Sequence, residues 1–268
     1  MIGIIAGTGS LPAQACKKLI EQKELFFIIV LFPLDNKNEI EQICNSSIPI
    51  ICLTSFKASE LIKTLQSFST THLFMIGKFD KLLLLKKIKF DWLTLSFLSS
   101  LMYKSDARIM QGIVDKFEKE YGIVVLKQDD LLDGLKIAPG VVAGELTQQL
   151  QNDILLGIVT AKSLSENDIG QTVIVKNGMV LAVEAIEGTD ACIRRGIDLG
   201  RTGIVICKAV HPNQNKKFDL PTLGPNTLKP YKSGQIATIA WLSEYTLIAH
   251  QEEFIKLAKQ KNITLVSL

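Results

Sequence analysis

The sequence predicts an α/β protein: a Rossmann-like parallel-sheet N-terminal domain over residues 1–133, then a mixed α+β C-terminal domain over residues 134–268. Three observations carry this. The first half alternates short apolar runs with amphipathic segments, the pattern of a parallel sheet covered on both faces. A glycine turn, Gly7-Thr8-Gly9-Ser10, stands between the first apolar run and the first helical pattern. Beyond Asp133–Gly144, which is short of helix formers and holds Gly134, Pro139-Gly140 and Gly144, the alternation gives way to a hairpin signal.

Ile2–Ala6 reads as the first strand and about Pro12 to Lys23 as the first helix. Phe26–Leu31, Ile48–Leu53 and Leu73–Ile76 read as the next three strands, with Ser55 and Ser59 as start signals for a helix through Gln66. Ile109, Ile113, Val114 and Phe117 recur at helical spacing after the capping pair Ser105-Asp106, and Ile123–Leu126 follows as a fifth strand. In the second half a helix is expected from about Thr147 to Ser163. Thr172–Lys176 and Met179–Glu184 flank Asn177-Gly178, whose residues tolerate the positive φ angles of a type I′ turn. Ile204–Ala209, Ile236–Ala240, Thr246–Ile248 and Ile263–Val266 read as strands, and Gln251–Lys261 as a helix.

Composition narrows the function classes. Thirty Lys and Arg against 27 Asp and Glu leave a net charge of +3, too small and too dispersed for a nucleic-acid binder. A pI near 8.5 remains compatible with anionic ligands or an anionic membrane surface. Charged residues at 21% and a mean hydropathy of +0.24 exclude a disordered polar chain. The longest apolar run, Leu25 to Leu34, contains Pro33 and falls far short of the ~20 residues that span a bilayer. Met1-Ile2-Gly3-Ile4 has no basic region of a secretory signal. Cys16, Cys44, Cys52, Cys192 and Cys207 are odd in number and form no C-x-x-C pair, which favours reduced thiols in the cytoplasm.

Four stretches can carry chemistry. Gly7-Thr8-Gly9-Ser10 at a strand-to-helix junction suits an anion, because N–H groups converge there and the helix terminus is partially positive. A dinucleotide fingerprint would need a third glycine where Pro12 stands, and Asp35 is a poor match to a ribose-binding acid. Gly77-Lys78 closes the fourth strand at the same sheet edge, where open parallel sheets bind ligands. Val183-Glu184-Ala185-Ile186-Glu187-Gly188-Thr189-Asp190 gathers three carboxylates before a helix bearing Arg194 and Arg195. Alternation would put Glu184 and Ile186 on one face and Glu187 on the other, with Thr189 or Asp190 capping the helix. These acids read either as a cap and a salt-bridge partner or as a ligand site. Lys208 opens the fourth stretch, which runs through His211 to Phe218-Asp219-Leu220-Pro221. A carboxylate between two apolar residues and a proline is costly to bury unless partnered, and such groups often mark sites. His211 has no partner spacing for triad or zinc chemistry.

These residues resemble the UDP-2,3-diacylglucosamine pyrophosphatases of the LpxI type, a family of lipid A biosynthesis. The resemblance spans essentially the whole chain and is most specific at Ile5–Pro12, Ile169–Val175, Val180–Asp190 and Phe218–Pro225. It implies a two-domain cytoplasmic hydrolase that cleaves UDP-2,3-diacylglucosamine to 2,3-diacylglucosamine 1-phosphate (lipid X) and UMP, with water attacking the sugar-linked phosphorus and Mg2+ stimulating the reaction. It implies a homodimer, and it is compatible with peripheral contact with the inner membrane. Asp219 matches the acid that the family associates with catalysis, as base or metal ligand. Asp190 is a second catalytic candidate, and Glu187, Asp190 and Asp219 are the candidate metal ligands. Gly7, Thr8, Gly9, Ser10, Gly77, Lys78, Gln171, Gly188, Thr189 and Lys208 are the candidate substrate contacts.

The chain departs from the family pattern at His211 (often lysine), Asn215 and Asn226 (often acids) and Ser105 (often an acid), which weakens any metal model using positions 215 or 226. Two rival readings stay open: a non-catalytic nucleotide-sugar or lipid-phosphate binding protein, and a nicotinamide-dependent oxidoreductase, which Pro12 disfavours.

Overall fold

The apolar runs of the first half pair as a five-stranded parallel sheet. The computed structural model describes residues 1–31, 36–44, 46–54, 57–79, 94, 106–218 and 220–268. Its elements fall into two units, the first covering residues 1–133 and joined again by Asn215–Phe218, the second comprising Gly134–Gln214 and Leu220–Leu268. The first unit runs β1 (Ile2–Ala6), α1 (Leu11–Glu21), β2 (Phe26–Leu31), α2 (Lys37–Ile43), β3 (Ile50–Leu53), α3 (Ala58–Ser67), β4 (His72–Ile76), α4 (Asp106–Tyr121), β5 (Val124–Val125) and α5 (Asp129–Leu132). The strand order is β3-β2-β1-β4-β5 and every pairing is parallel.

All six residues of β2 are buried, which is why its sequence shows no polar alternation. Phe27, Ile29 and Leu31 share a core with Leu61, Ile62 and Leu65 of α3 and with Val114 and Phe117 of α4. The alternate residues Ile28 and Val30 are fully buried as well, as are Ile4 and Ile76. Helix α1 stops at Glu21 rather than Lys23, because Lys23 adopts a left-handed φ of 59°. The fifth strand shrinks from Ile123–Leu126 to an edge pair that meets only His72 and Leu73. Ser55, Ser105 and Asp35 lie outside the described residues.

The second unit contains β6 (Gly140–Ala143), α6 (Gln148–Glu166), β7 (Thr172–Lys176), β8 (Met179–Val183), α7 (Thr189–Gly200), β9 (Ile204–Lys208), β10 (Thr222–Leu223), α8 (Pro225–Leu228), β11 (Ile236–Trp241), β12 (Leu247–Ile248), α9 (Gln251–Gln260) and β13 (Thr264–Ser267). Six strands form a mixed sheet in the order β6-β13-β11-β9-β7-β8, and β10 and β12 make a small parallel pair. The inner strands β13, β11 and β9 are parallel, whereas β7 runs antiparallel to β9 and β8, and β6 antiparallel to β13. Period-two alternation divides the core. Val173, Val175, Val205 and Cys207 pack with Ile154, Ile158 and Ala161 of α6. Ile174, Ile204 and Ile206 pack with Cys192, Ile193 and Ile197 of α7.

The two units part between Asp133 and Gly134, within the stretch read as a boundary, which also contributes strand β6. Two expectations are corrected here. Strand β8 ends at Val183, so Glu184 to Glu187 do not alternate between sheet faces. Helix α7 is N-capped by Gly188, not by Thr189 or Asp190. The hairpin stands as read: Asn177 and Gly178 have φ of 51° and 75°. Asp153 of α6, only 3% exposed, clamps that turn. Its Oδ2 accepts the Asn177 N–H at 2.9 Å and its Oδ1 the Gly178 N–H at 2.6 Å. Asp153→Ala leaves both donors without this acceptor, so urea unfolding should show a loss of about 2 kcal/mol.

Candidate functional site

At the carboxyl edge of the first sheet, β1 and β4 sit at the point where the strand order reverses, the place where doubly wound sheets bind ligands. The residues after both strands meet there. Thr8 and Lys78 form a one-residue antiparallel bridge: the Thr8 N–H donates to the Lys78 carbonyl at 2.9 Å and the Lys78 N–H to the Thr8 carbonyl at 3.0 Å. The Gly7 N–H donates to the Ile76 carbonyl at 2.8 Å. Buried Asn36 donates through Nδ2 to the carbonyls of Gly7 and Gly9, at 2.6 and 3.2 Å. The N–H groups of Gly7 and Thr8 are thus committed within the protein. Ser10 is the N-cap of α1, and Pro12 occupies the first turn, where a missing N–H costs no helical bond. Lys78 exposes its side chain.

The two glycines of this crossing are required by close approach. A Cβ on Gly7 would lie 2.5 Å from the Lys78 carbonyl oxygen, and one on Gly77 (φ 101°) would lie 2.7 Å from the Thr8 oxygen. Gly9 also has positive φ, but a Cβ there would meet nothing within 4 Å. Gly77→Ala should therefore cost about 3 kcal/mol and Gly9→Ala about 1 kcal/mol in thermal or urea unfolding.

A second constellation forms in the other unit, where four element ends meet. Strand β7 lies antiparallel to β9 with Thr172 opposite Lys208, so the start of β7 sits beside the end of β9. The Glu184 N–H, just past β8, donates to the Thr172 carbonyl at 2.8 Å, and α7 begins five residues later at Thr189. Lys208 is 4% exposed. Its Nζ donates to Thr172 Oγ1 at 3.1 Å and to Thr189 Oγ1 at 3.2 Å. Thr189 Oγ1 in turn donates to Glu184 Oε1 at 2.8 Å, and the Gln171 N–H donates to Glu184 Oε2 at 3.3 Å. Burial opposes ionisation of Glu184, but the Lys208 charge, both hydroxyls and the Gln171 N–H together hold its pKa below the ordinary 4.5. A buried ammonium and a carboxylate are thus joined through the Thr189 hydroxyl, which accepts from the lysine and donates to the acid, while the Thr172 hydroxyl accepts from the lysine as well.

Gly188, Asp190 and Glu187 lie on the segment that leads into α7. Gly188 begins α7 with φ of 82°, and exposed Asp190 lies in its first turn. The Glu187 carboxylate accepts from Arg195 Nη2 at 2.5 Å, and the same guanidinium group donates to the Val183 carbonyl at 2.7 Å. Ile186, between these polar residues, is 93% exposed. Asp219 lies outside the described residues, although its neighbours Phe218 and Leu220 are buried at 6% and 7%. Among the described residues, no group of three or more His, Cys, Asp and Glu is assembled to hold a metal ion. Asn215, at a family acid position, accepts the Lys217 N–H and donates to Gln111. Thr172 was missed as a site candidate, and Glu184 stood only among the acids of its stretch, as a salt-bridge partner or part of a ligand site. The hairpin register alone places Thr172 next to Val183-Glu184, and that signal was legible.

Fold and sites define a two-unit α/β protein whose first unit has the doubly wound strand order of nucleotide-binding domains. Residues 1–135 match the model of the LpxI N-terminal domain, and residues 138–266 that of the LpxI C-terminal domain. The chain belongs to the LpxI family. It is similar to the UDP-2,3-diacylglucosamine pyrophosphatase LpxI of Caulobacter vibrioides, with 32% identity over 166 residues that cover 58% of this chain and 58% of that protein. The match thus spans less than two thirds of the relative.

Proposed function

We propose that the protein hydrolyses the phosphoanhydride of UDP-2,3-diacylglucosamine, releasing lipid X and UMP in lipid A biosynthesis. Family membership supports this reading, and one observation carries it: the buried Lys208 ammonium held between Thr172 and Thr189 at the start of α7. Water attacks the sugar-linked phosphorus and the bond to the bridging oxygen breaks, so UMP leaves. Negative charge grows on the phosphoryl oxygens, and fixed cations and hydroxyls in a water-poor setting stabilise it. Lys208 and Thr189 take that role, with Gly188 and Gln171 beside them. The loop of Gly7, Thr8, Gly9 and Ser10, with Gly77 and Lys78, is read as a phosphate-binding edge of the first unit, acting through Lys78. Asp219 orients or deprotonates the attacking water, or holds the metal, and Asp190 assists it.

The oxygen donors of Asp190 and Asp219 suit Mg2+ in kind, and Glu187 is the weaker candidate because Arg195 already engages it. Bound magnesium would lower the pKa of an attacking water and screen the phosphates. The substrate carries two acyl chains, so the same reading includes peripheral contact with the inner membrane from the cytoplasmic side, and it includes a homodimer. Among the described residues, no helix is long and apolar enough to cross a membrane.

The test is incubation of purified protein with UDP-2,3-diacylglucosamine, with and without Mg2+, measuring UMP by phosphate-sensitive chromatography. Release of UMP with lipid X is the expected result. Substrate-induced thermal stabilisation without product would instead favour a binding protein, since a ligand that binds only the folded state raises the melting temperature.

A further inference from the structure

We propose that Glu184 is a positioning residue, which fixes the Lys208 ammonium and the Thr189 hydroxyl in the orientation that receives the substrate's phosphate. The inference rests on the reaction proposed above and adds to it a residue that touches no substrate atom.

Lysine carries its charge on four rotatable carbons, and a strand-end lysine would ordinarily sample many positions. Here two N–H groups of Lys208 are directed at Thr172 Oγ1 and Thr189 Oγ1, at 3.1 and 3.2 Å. A tetrahedral ammonium with two directions fixed has its third fixed as well. Each threonine hydroxyl has a single proton. The Thr189 hydroxyl points that proton at Glu184 Oε1 at 2.8 Å, which turns its lone pairs toward Lys208. Glu184 thereby sets the polarity of this relay. Its own place is set by the backbone, through the Gln171 N–H to Oε2 and the Glu184 N–H to the Thr172 carbonyl. Arg195 braces the same loop from the other side by holding Val183 and Glu187. With glutamine at 184 one oxygen becomes an N–H donor, and where that donor faces Thr189 the hydroxyl must reverse and present its proton to the ammonium. The lysine then loses an acceptor and its fixed third direction.

The experiment measures kcat and KM for UMP release by the wild type and by Glu184→Gln, Thr189→Val, Lys208→Met and the double variant Glu184→Gln/Lys208→Met. Misplacement of a group that stabilises the transition state costs up to about 100-fold, so Glu184→Gln should lower kcat by roughly 10- to 100-fold while KM changes by less than about 3-fold. Thr189→Val, which removes one relay, should lower kcat in the same way and serves if the Glu184 variant folds poorly. The double variant should be no slower than Lys208→Met within about 3-fold, because Glu184 acts through the lysine. Near-normal kcat in Glu184→Gln, or losses that multiply in the double variant, would overturn the assignment while the proposed reaction stands. A wild-type protein without turnover would overturn both.

Discussion

Asp219→Ala is expected to abolish UMP release, by at least about 1000-fold, while UDP-2,3-diacylglucosamine still raises the melting temperature of the variant. The reasoning is chemical. A phosphoanhydride diester bears two negative charges that repel hydroxide, so attack needs a group that takes the proton from water or a cation that acidifies it. Among the described carboxylates of the β8–α7 segment, Glu184 is engaged by Thr189 and the Gln171 N–H, and Glu187 by Arg195. Asp219 follows Phe218, which belongs to the core of the first unit, and precedes buried Leu220 and Pro221. Near-normal kcat in Asp219→Ala would remove its catalytic role. Loss of activity together with loss of substrate-induced stabilisation would make it a binding residue instead.

The second large effect is on stability. Lys208→Met fills the same volume but leaves Glu184 without its cation, and removing one partner of a buried pair costs about 3 kcal/mol. The loss should fall in the second unit, whose strands β7 and β9 carry the pair, and urea unfolding measures it. The pH dependence gives an independent sign. In the wild type the Glu184 pKa is depressed below 4.5, so its stabilising contribution is full above that value and disappears as pH falls through the lower folded pKa. In Lys208→Met burial is left as the largest influence and drives the folded pKa upward. Stability then rises as the solution is acidified from pH ~7 toward ~4.5, an interval in which the wild-type Glu184 contribution stays constant. An unchanged slope in that interval would show that Lys208 does not control Glu184.

Much of the architecture was legible. Strand and helix periods placed nearly every long element, and Asn177-Gly178 marked the hairpin because few other pairs accept two positive φ angles. The short elements were not: α2, α5, α8 and β10 have too few residues for a period to show. The candidate site was half legible. Lys208, Thr189 and the glycine loop stood out by their residue types. Glu184 stood out only as one of three acids, with no sign of its partner, and Thr172 did not, since a threonine opening a strand is ordinary.

Local chemistry explains this division. Periodicity, turn residues and helix starts act over about ten residues, so the sequence alone determined where strands and helices run, where the hairpin turns, and which family's motifs are present. Sheet order depends on which distant apolar faces pack together. Only the tertiary structure decided that β7 lies between β8 and β9, setting Thr172 opposite Lys208. Only it decided that the Gly7 and Thr8 N–H groups bond the residues that close β4. A lysine 19 residues from Thr189 and 36 from Thr172 becomes their neighbour because burying three valines and a cysteine against α6 aligns those strands in one register.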